Sequence, residues 1–220
     1  MARGTLFLGT KRYSSWSLRG WLLVRLAGLD VEEQVIPLAG GTTTAIREIS
    51  PSGLVPYLEH DGNRVWDSMA IGEYCAELSP TLWPADRPAR THARVLAAEM
   101  HSGFRPLRIA MPMNLGRDRA PGNGIAPEVQ ADIDRLDRLW SEARAAYGSD
   151  GPYLFGSGFT MADAMFAPVV ARLLSYRVTL SPVSAAYRDA VRAHPLVVQW
   201  YRDAAAEPAA WQLPHYEDVP

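Results

Sequence analysis

The spacing of apolar positions changes along the chain. Thr5-Leu6-Phe7-Leu8 is an unbroken apolar run closed by Gly9, the pattern of a strand covered on both faces. A polar stretch from Thr10 to Ser14 follows. From Ser17 to Leu26 the residues Leu18, Trp21, Leu22 and Leu26 recur at helical spacing, with Gly28 as the stop. Val35-Ile36 before Pro37 predicts a second strand. Thr42 to Ile49 predicts a short helix, ended by the breaker cluster Ser50-Pro51-Ser52-Gly53. Pro56-Tyr57-Leu58-Glu59 and Arg64-Val65-Trp66 flank an Asp61-Gly62 turn, which predicts a hairpin. Ser68 to Leu78 predicts a helix. The order is strand, helix, strand, helix, strand, strand, helix.

Past the Pro-rich stretch from Ser79 to Pro84 the strand patterns stop. Arg90 to Leu115 predicts one long helix, bent near Pro106 or ended near Pro112. Pro127 to Tyr147 predicts another, with Ile133, Leu136, Leu139 and Trp140 on one face. Thr160 to Tyr176 predicts a third, and two short helices fall near Ser184 to Ala193 and Leu196 to Ala206. The chain therefore reads as an α/β domain over residues 1–79 followed by an all-α domain over residues 88–220.

Composition narrows the function. Of 220 residues, 48% are hydrophobic and 21% charged, as in an ordinary soluble protein. A net charge of -2 argues against a nucleic-acid partner. There is no run of about 18 apolar residues, so no membrane span is expected, and Met1-Ala2-Arg3-Gly4 opens no signal peptide. Cys75 is the single cysteine, which excludes an internal disulfide and makes the cytoplasm the default location. The histidines show no ligand spacing, so no metal is expected. No Gly-x-Gly-x-x-Gly or phosphate loop follows a strand, so no nucleotide cofactor is expected.

Four motifs fall where that pattern places turns and helix starts. Arg12-Tyr13-Ser14-Ser15-Trp16-Ser17-Leu18-Arg19 joins the first strand to the first helix. Leu54-Val55-Pro56 opens the third strand, Trp66-Asp67-Ser68 opens the third helix, and Phe159-Thr160-Met161-Ala162-Asp163 lies in the helical half. In this order they resemble the cytosolic glutathione transferase family, in which a thioredoxin-like domain precedes a helical bundle. The first is similar to the Ser-Ser-Cys-Ser motif of the zeta class.

The resemblance implies a site for glutathione, whose reactive group is a thiol. A free thiol has a pKa of about 8.5, so little is ionised near neutrality. A hydroxyl donor is worth about 1.5–3 kcal/mol to a charged acceptor, and a helix N-terminus adds a smaller favourable field. Ser14 and Ser15 sit where both effects meet, and Ser14 aligns with the zeta-class serine credited with holding the sulfur. The plainer role for either is a helix cap. Val55, before a cis Pro56, would pair its backbone with the cysteinyl part of glutathione. Asp67 would take the γ-glutamyl ammonium, and Ser68 with the helix amides its carboxylate. No clear counterpart appears for holding the glycine carboxylate. Gly40-Gly41-Thr42-Thr43-Thr44 stands there, with Arg47 beyond.

Trp16 replaces the cysteine of zeta-class isomerases, which argues against isomerase activity. With Phe104, Arg108, Met111 and Leu115, at spacings that share a helix face, it would line a pocket for small apolar electrophiles. Cys75 is expected to be a buried structural thiol, and Thr160 to Asp163 a helix cap. The expected function is conjugation of glutathione to such electrophiles, as in detoxification. The alternatives are glutathione-dependent peroxide reduction or isomerisation, or a non-catalytic glutathione-binding or regulatory protein. The resemblance also implies a homodimer.

Overall fold

The computed structural model describes residues 3–41 and 43–219. Thr42, the expected start of the second helix, lies outside the described residues. β1 (Gly4–Gly9), β2 (Glu32–Ile36), β3 (Tyr57–His60) and β4 (Asn63–Val65) form one sheet in the order β2-β1-β3-β4. β2 runs parallel to β1, and β3 and β4 are antiparallel. α1 (Ser15–Leu26) makes the crossover that a parallel β1–β2 pair requires. α2 (Thr44–Ile49) follows β2, and α3 (Ser68–Leu78) follows the hairpin.

The apolar run of β1 is explained by burial on both faces. Leu6 and Leu8 point to α1, α3 and the main core. Phe7 points the other way, stacked on Tyr57 at 5.4 Å and covered by Ile46 of α2. Each such side chain contributes roughly 1.5–3 kcal/mol by leaving water.

The helical half consists of α4 (Arg87–Ser102), α5 (Arg105–Ala110), α6 (Pro127–Tyr147), α7 (Met161–Ser175), α8 (Pro182–Ala193), α9 (Pro195–Ala205) and α10 (Pro214–Glu217). The long helix expected from Arg90 to Leu115 is two helices. The break falls at Gly103 and Phe104, where Phe104 takes a left-handed φ of 60°. Pro106 causes no bend, because it sits in the first turn of α5, where a missing N–H is harmless. Asp132 of α6 accepts from the Leu107 N–H, which has no partner within that turn, at 3.0 Å.

α7 is the central helix. It packs against α1, α4 and α8, and nearly all its side chains are buried. Asp163 closes its first turn by accepting from the Thr160 N–H at 2.8 Å, and its other oxygen accepts from the Leu154 N–H at 3.2 Å. The shorter acid therefore completes the cap that the sequence pattern predicts. The apolar core runs through both halves without interruption.

Candidate active site

The loop from Thr10 to Ser14 brings the chain from β1 into α1, and short hydrogen bonds fix its exit. Ser14 caps α1 by accepting from the Ser17 N–H at 3.3 Å. Its hydroxyl lies 2.8 Å from Ser17 Oγ, which accepts from the Gly9 N–H at 2.9 Å. The last residue of β1 is thus tied to the first turn of α1. In this bond the Ser14 hydroxyl donates and Ser17 Oγ accepts. An acceptor placed beside Ser14 would compete with Ser17 for that proton.

A second set of bonds comes from the C-terminal segment. Glu207 accepts from the backbone N–H groups of Lys11 and Arg12. Glu217 pairs with Arg12 at 2.9 Å and accepts from the Tyr13 hydroxyl and from Asn114. Tyr216 stacks on Tyr13 at 4.9 Å. Lys11 is buried between Glu33 and Asp203, over the rings of Trp21 and Trp200.

Three arginines gather beside this loop. Arg172 of α7 donates to Ser15 Oγ at 3.2 Å, to the Met111 carbonyl at 2.9 Å and to the Pro168 carbonyl at 3.1 Å. Arg108 of α5 donates to the carbonyls of Gly103, Met100 and His101 at the end of α4. Arg19 of α1 is fully buried and donates from Nε to the Met165 carbonyl at 3.0 Å. Among the described residues, none of the three forms an ion pair with a carboxylate. Burial and mutual repulsion lower the pKa of Arg19 and push that of Arg172 down to about 10. A guanidinium keeps its proton under these conditions, so the cluster is a concentrated positive charge.

Two adjoining cavities open here. One, of about 650 Å³, is lined by Ser14, Ser15, Trp16, Arg108, Arg172 and Tyr216, with Arg47 towards α2. The other, of about 500 Å³, is lined by Pro56, Trp66, Asp67 and Ala70. Trp16 and Val55 line both. Ser14, Ser15, Trp16, Val55, Pro56, Asp67 and Arg108 are therefore brought together. The Val55–Pro56 peptide is cis. The Asp67 carboxylate accepts from the Met69 N–H at 2.8 Å and meets His101 Nε2 at 3.1 Å.

Ser68 is fully buried, lines neither cavity, and its hydroxyl has no partner among the described residues. Phe104 and Met111 lie in the core and line neither cavity, and Leu115 packs against that core. The shared face expected for 104, 108 and 111 is lost because the helix restarts at Arg105. Cys75 is buried, and burial pushes its thiol up to about 12, so it is no thiolate near neutrality.

Ser17, Arg172 and Tyr216 belong to the site and were not singled out from the sequence. Arg172 carried a usable cue, being a lone cation in the apolar stretch from Ala164 to Leu174. Tyr216 carried none, since only the path of the tail brings it here.

The profile described as "Glutathione S-transferase, N-terminal domain" matches residues 13–78, and "Glutathione S-transferase, C-terminal domain" matches residues 124–203. Maleylpyruvate isomerase of a Ralstonia species is 31% identical over 146 residues, which cover 63% of this chain and 67% of the relative. A probable maleylacetoacetate isomerase of Caenorhabditis elegans is 28% identical over 171 residues, 76% of this chain and 78% of the relative. A glutathione transferase homologue from Burkholderia, solved with bound glutathione, superposes with a TM-score of 0.69 at 26% identity, covering 93% of this chain and 99% of that one. These relatives favour the isomerase alternative over conjugation of apolar electrophiles, against the expectation drawn from the indole at position 16. The two matched domains, the sheet and helix order, and these relatives together place the chain in the glutathione S-transferase family.

Proposed function

We propose that the protein is a glutathione-dependent cis–trans isomerase acting on a small unsaturated acid of the maleyl type. The observation that carries this reading is the pair Arg108 and Arg172, which line the larger cavity and, among the described residues, form no ion pair with a carboxylate, Asp132 acting on Arg108 only from a distance. A carboxylate-bearing substrate supplies the missing charge, and an apolar electrophile does not. The named activities of the Ralstonia and Caenorhabditis relatives agree with that chemistry.

The residues present fit glutathione. A serine hydroxyl at a helix N-terminus beside uncompensated cations suits an anionic sulfur. Ser14 is the proposed donor, the sulfur anion taking the proton that it otherwise gives to Ser17. Ser15, fixed by Arg172, is the second candidate. Val55 would pair with the cysteinyl backbone, Asp67 would meet the γ-glutamyl ammonium, and Arg47 would meet the glycine carboxylate. The buried Ser68 is left to contribute through the first turn of α3 rather than through its hydroxyl. What glutathione supplies when bound is a thiolate that adds reversibly to an activated double bond, which turns while it is single. Arg108 and Arg172 hold the substrate carboxylates over that thiolate and stabilise negative charge gained on the way. The same reading carries a cytoplasmic homodimer, as family membership implies.

The test is conversion of maleylpyruvate and maleylacetoacetate to their trans isomers, with and without glutathione, beside conjugation of a chlorodinitrobenzene. Glutathione-dependent isomerisation well above conjugation is the expected result. Conjugation alone would replace this reading with the detoxifying transferase.

A further inference from the structure

Arg19 poses a question that the proposed mechanism does not answer. It is fully buried on α1, its Nε reaches the Met165 carbonyl, and both terminal nitrogens lack a hydrogen-bond partner among the described residues. A buried cation is normally matched by an acid, because an unmatched one costs several kcal/mol. Here Arg108 and Arg172 repel it, and the attraction of the Asp67 carboxylate, which meets His101, is too weak to offset them. What Arg19 does have is Trp16. Its guanidinium carbon lies over the indole, 4.8 Å from the ring centroid, and that of Arg108 lies over the same ring at 5.0 Å. His101 meets the ring edge-on at 5.3 Å.

An indole face attracts a guanidinium through its quadrupole and carries no net charge. A carboxylate in that place would hold the arginines equally well and cancel their field. The indole holds them and leaves the field intact. Trp16 follows Ser14 and Ser15 directly at the start of α1, so this field acts where the glutathione sulfur would sit.

We propose that Trp16 holds Arg19 and Arg108 without neutralising them, and that the charge of buried Arg19, which Asp67 offsets only in part, helps to lower the pKa of the glutathione thiol. The proposal rests on the glutathione site described above and assigns Arg19 as a positioning residue that acts through space without touching substrate. It also gives the indole at position 16 a reason of its own. A unit charge at ~10 Å, acting through an effective dielectric constant of about 20, shifts a pKa by about one unit.

The experiment is a titration of enzyme-bound glutathione, following thiolate absorbance against pH, in wild type, Arg19→Gln and Arg19→Lys. Both replacements keep a donor for the Met165 carbonyl, and only lysine keeps the charge. The expected result is a bound-thiol pKa below that of free glutathione in wild type. Arg19→Gln should raise it by about one unit, and Arg19→Lys should restore it largely. A wild type with a lowered thiol pKa that Arg19→Gln leaves in place would overturn the proposal and spare the site. An unshifted wild-type pKa would bring down the glutathione reading and this proposal together. If Arg19→Gln does not fold, Trp16→Glu puts a carboxylate where the indole stands and cancels the field with Arg19 in place. A thiol pKa that stays put there overturns the proposal.

Discussion

Arg172 Nη2 donates to Ser15 Oγ at 3.2 Å, which ties the last turn of α7 to the first residue of α1 across the junction of the two halves. The remaining nitrogens of the same guanidinium are held by the Met111 and Pro168 carbonyls. One planar side chain therefore fixes the serine loop, the segment after α5 and its own helix.

Arg172→Lys keeps the charge and loses the fork, so it cannot make all three bonds at once. We expect kcat/KM for a maleyl acid to fall by about 10- to 150-fold, the equivalent of about 1.5–3 kcal/mol, because a hydrogen bond to a charged partner is lost with its geometry. Steady-state kinetics beside a melting curve separate this from unfolding. A variant with wild-type kinetics would remove Arg172 from the site.

Gly20 lets α1 pack directly against Pro56 of the Val55–Pro56 turn. A Cβ added there would lie 2.7 Å from Pro56 Cγ and 2.9 Å from Pro56 Cβ. Gly20→Ala gains about 1 kcal/mol in helix propensity and loses about 1–3 kcal/mol to overpacking, so the clash prevails. The expected outcome is a lower Tm and a higher KM for glutathione, since Pro56 and Val55 must move. A more stable variant with unchanged KM would show that the turn yields freely.

Much of this arrangement was legible in the sequence, because it depends on local pattern. The both-sided burial of Leu6, Phe7 and Leu8, the Asp61-Gly62 hairpin, the Thr160 to Asp163 cap and the serines at the start of α1 are each readable within a few residues. Most of what escaped depends on distance along the chain. One miss was local: the break turns on Phe104, a left-handed residue that is not glycine, and Gly103 beside it was the available stop signal. Taking that stretch as one helix put Phe104 and Met111 in a substrate wall that they do not form. Arg19 and Arg172 stand 153 positions apart, and only the packing of α1 on α7 makes them neighbours. An apolar-electrophile pocket was the natural reading as long as those cations were invisible to each other.

Asp163 holds the start of α7 from the inside, accepting from two buried backbone N–H groups and from the Thr160 hydroxyl. Asp163→Ala leaves those donors unpaired, at about 1–3 kcal/mol each. We expect a Tm fall of many degrees, with the pKa of bound glutathione thiol unchanged in whatever fraction folds. Thermal denaturation and thiolate absorbance give the two readouts. A shifted thiol pKa would mean that the cap reaches the chemistry.

Glu217 clamps the C-terminal segment to the serine loop, and the clamp titrates. Burial raises its pKa, but hydrogen bonds from Arg12, Tyr13 and Asn114 and the charge of Arg12 outweigh that and hold it below the ordinary glutamate value. A carboxylate whose folded pKa is depressed contributes stability that is fully present above its unfolded value, and that contribution is lost as pH falls through the folded one. Glu217→Gln removes the ionic part, so the variant should melt below wild type near neutrality by the equivalent of about 1–2 kcal/mol. The gap between the two should close as pH drops below the ordinary carboxylate range. Because Tyr216 stacks on Tyr13 and lines the larger cavity, loosening the clamp should also raise KM for the acid substrate in the variant at neutral pH. Melting curves of both proteins across acid and neutral pH check the sign. A gap that stays constant with pH would mean that the Glu217 charge does not hold the tail.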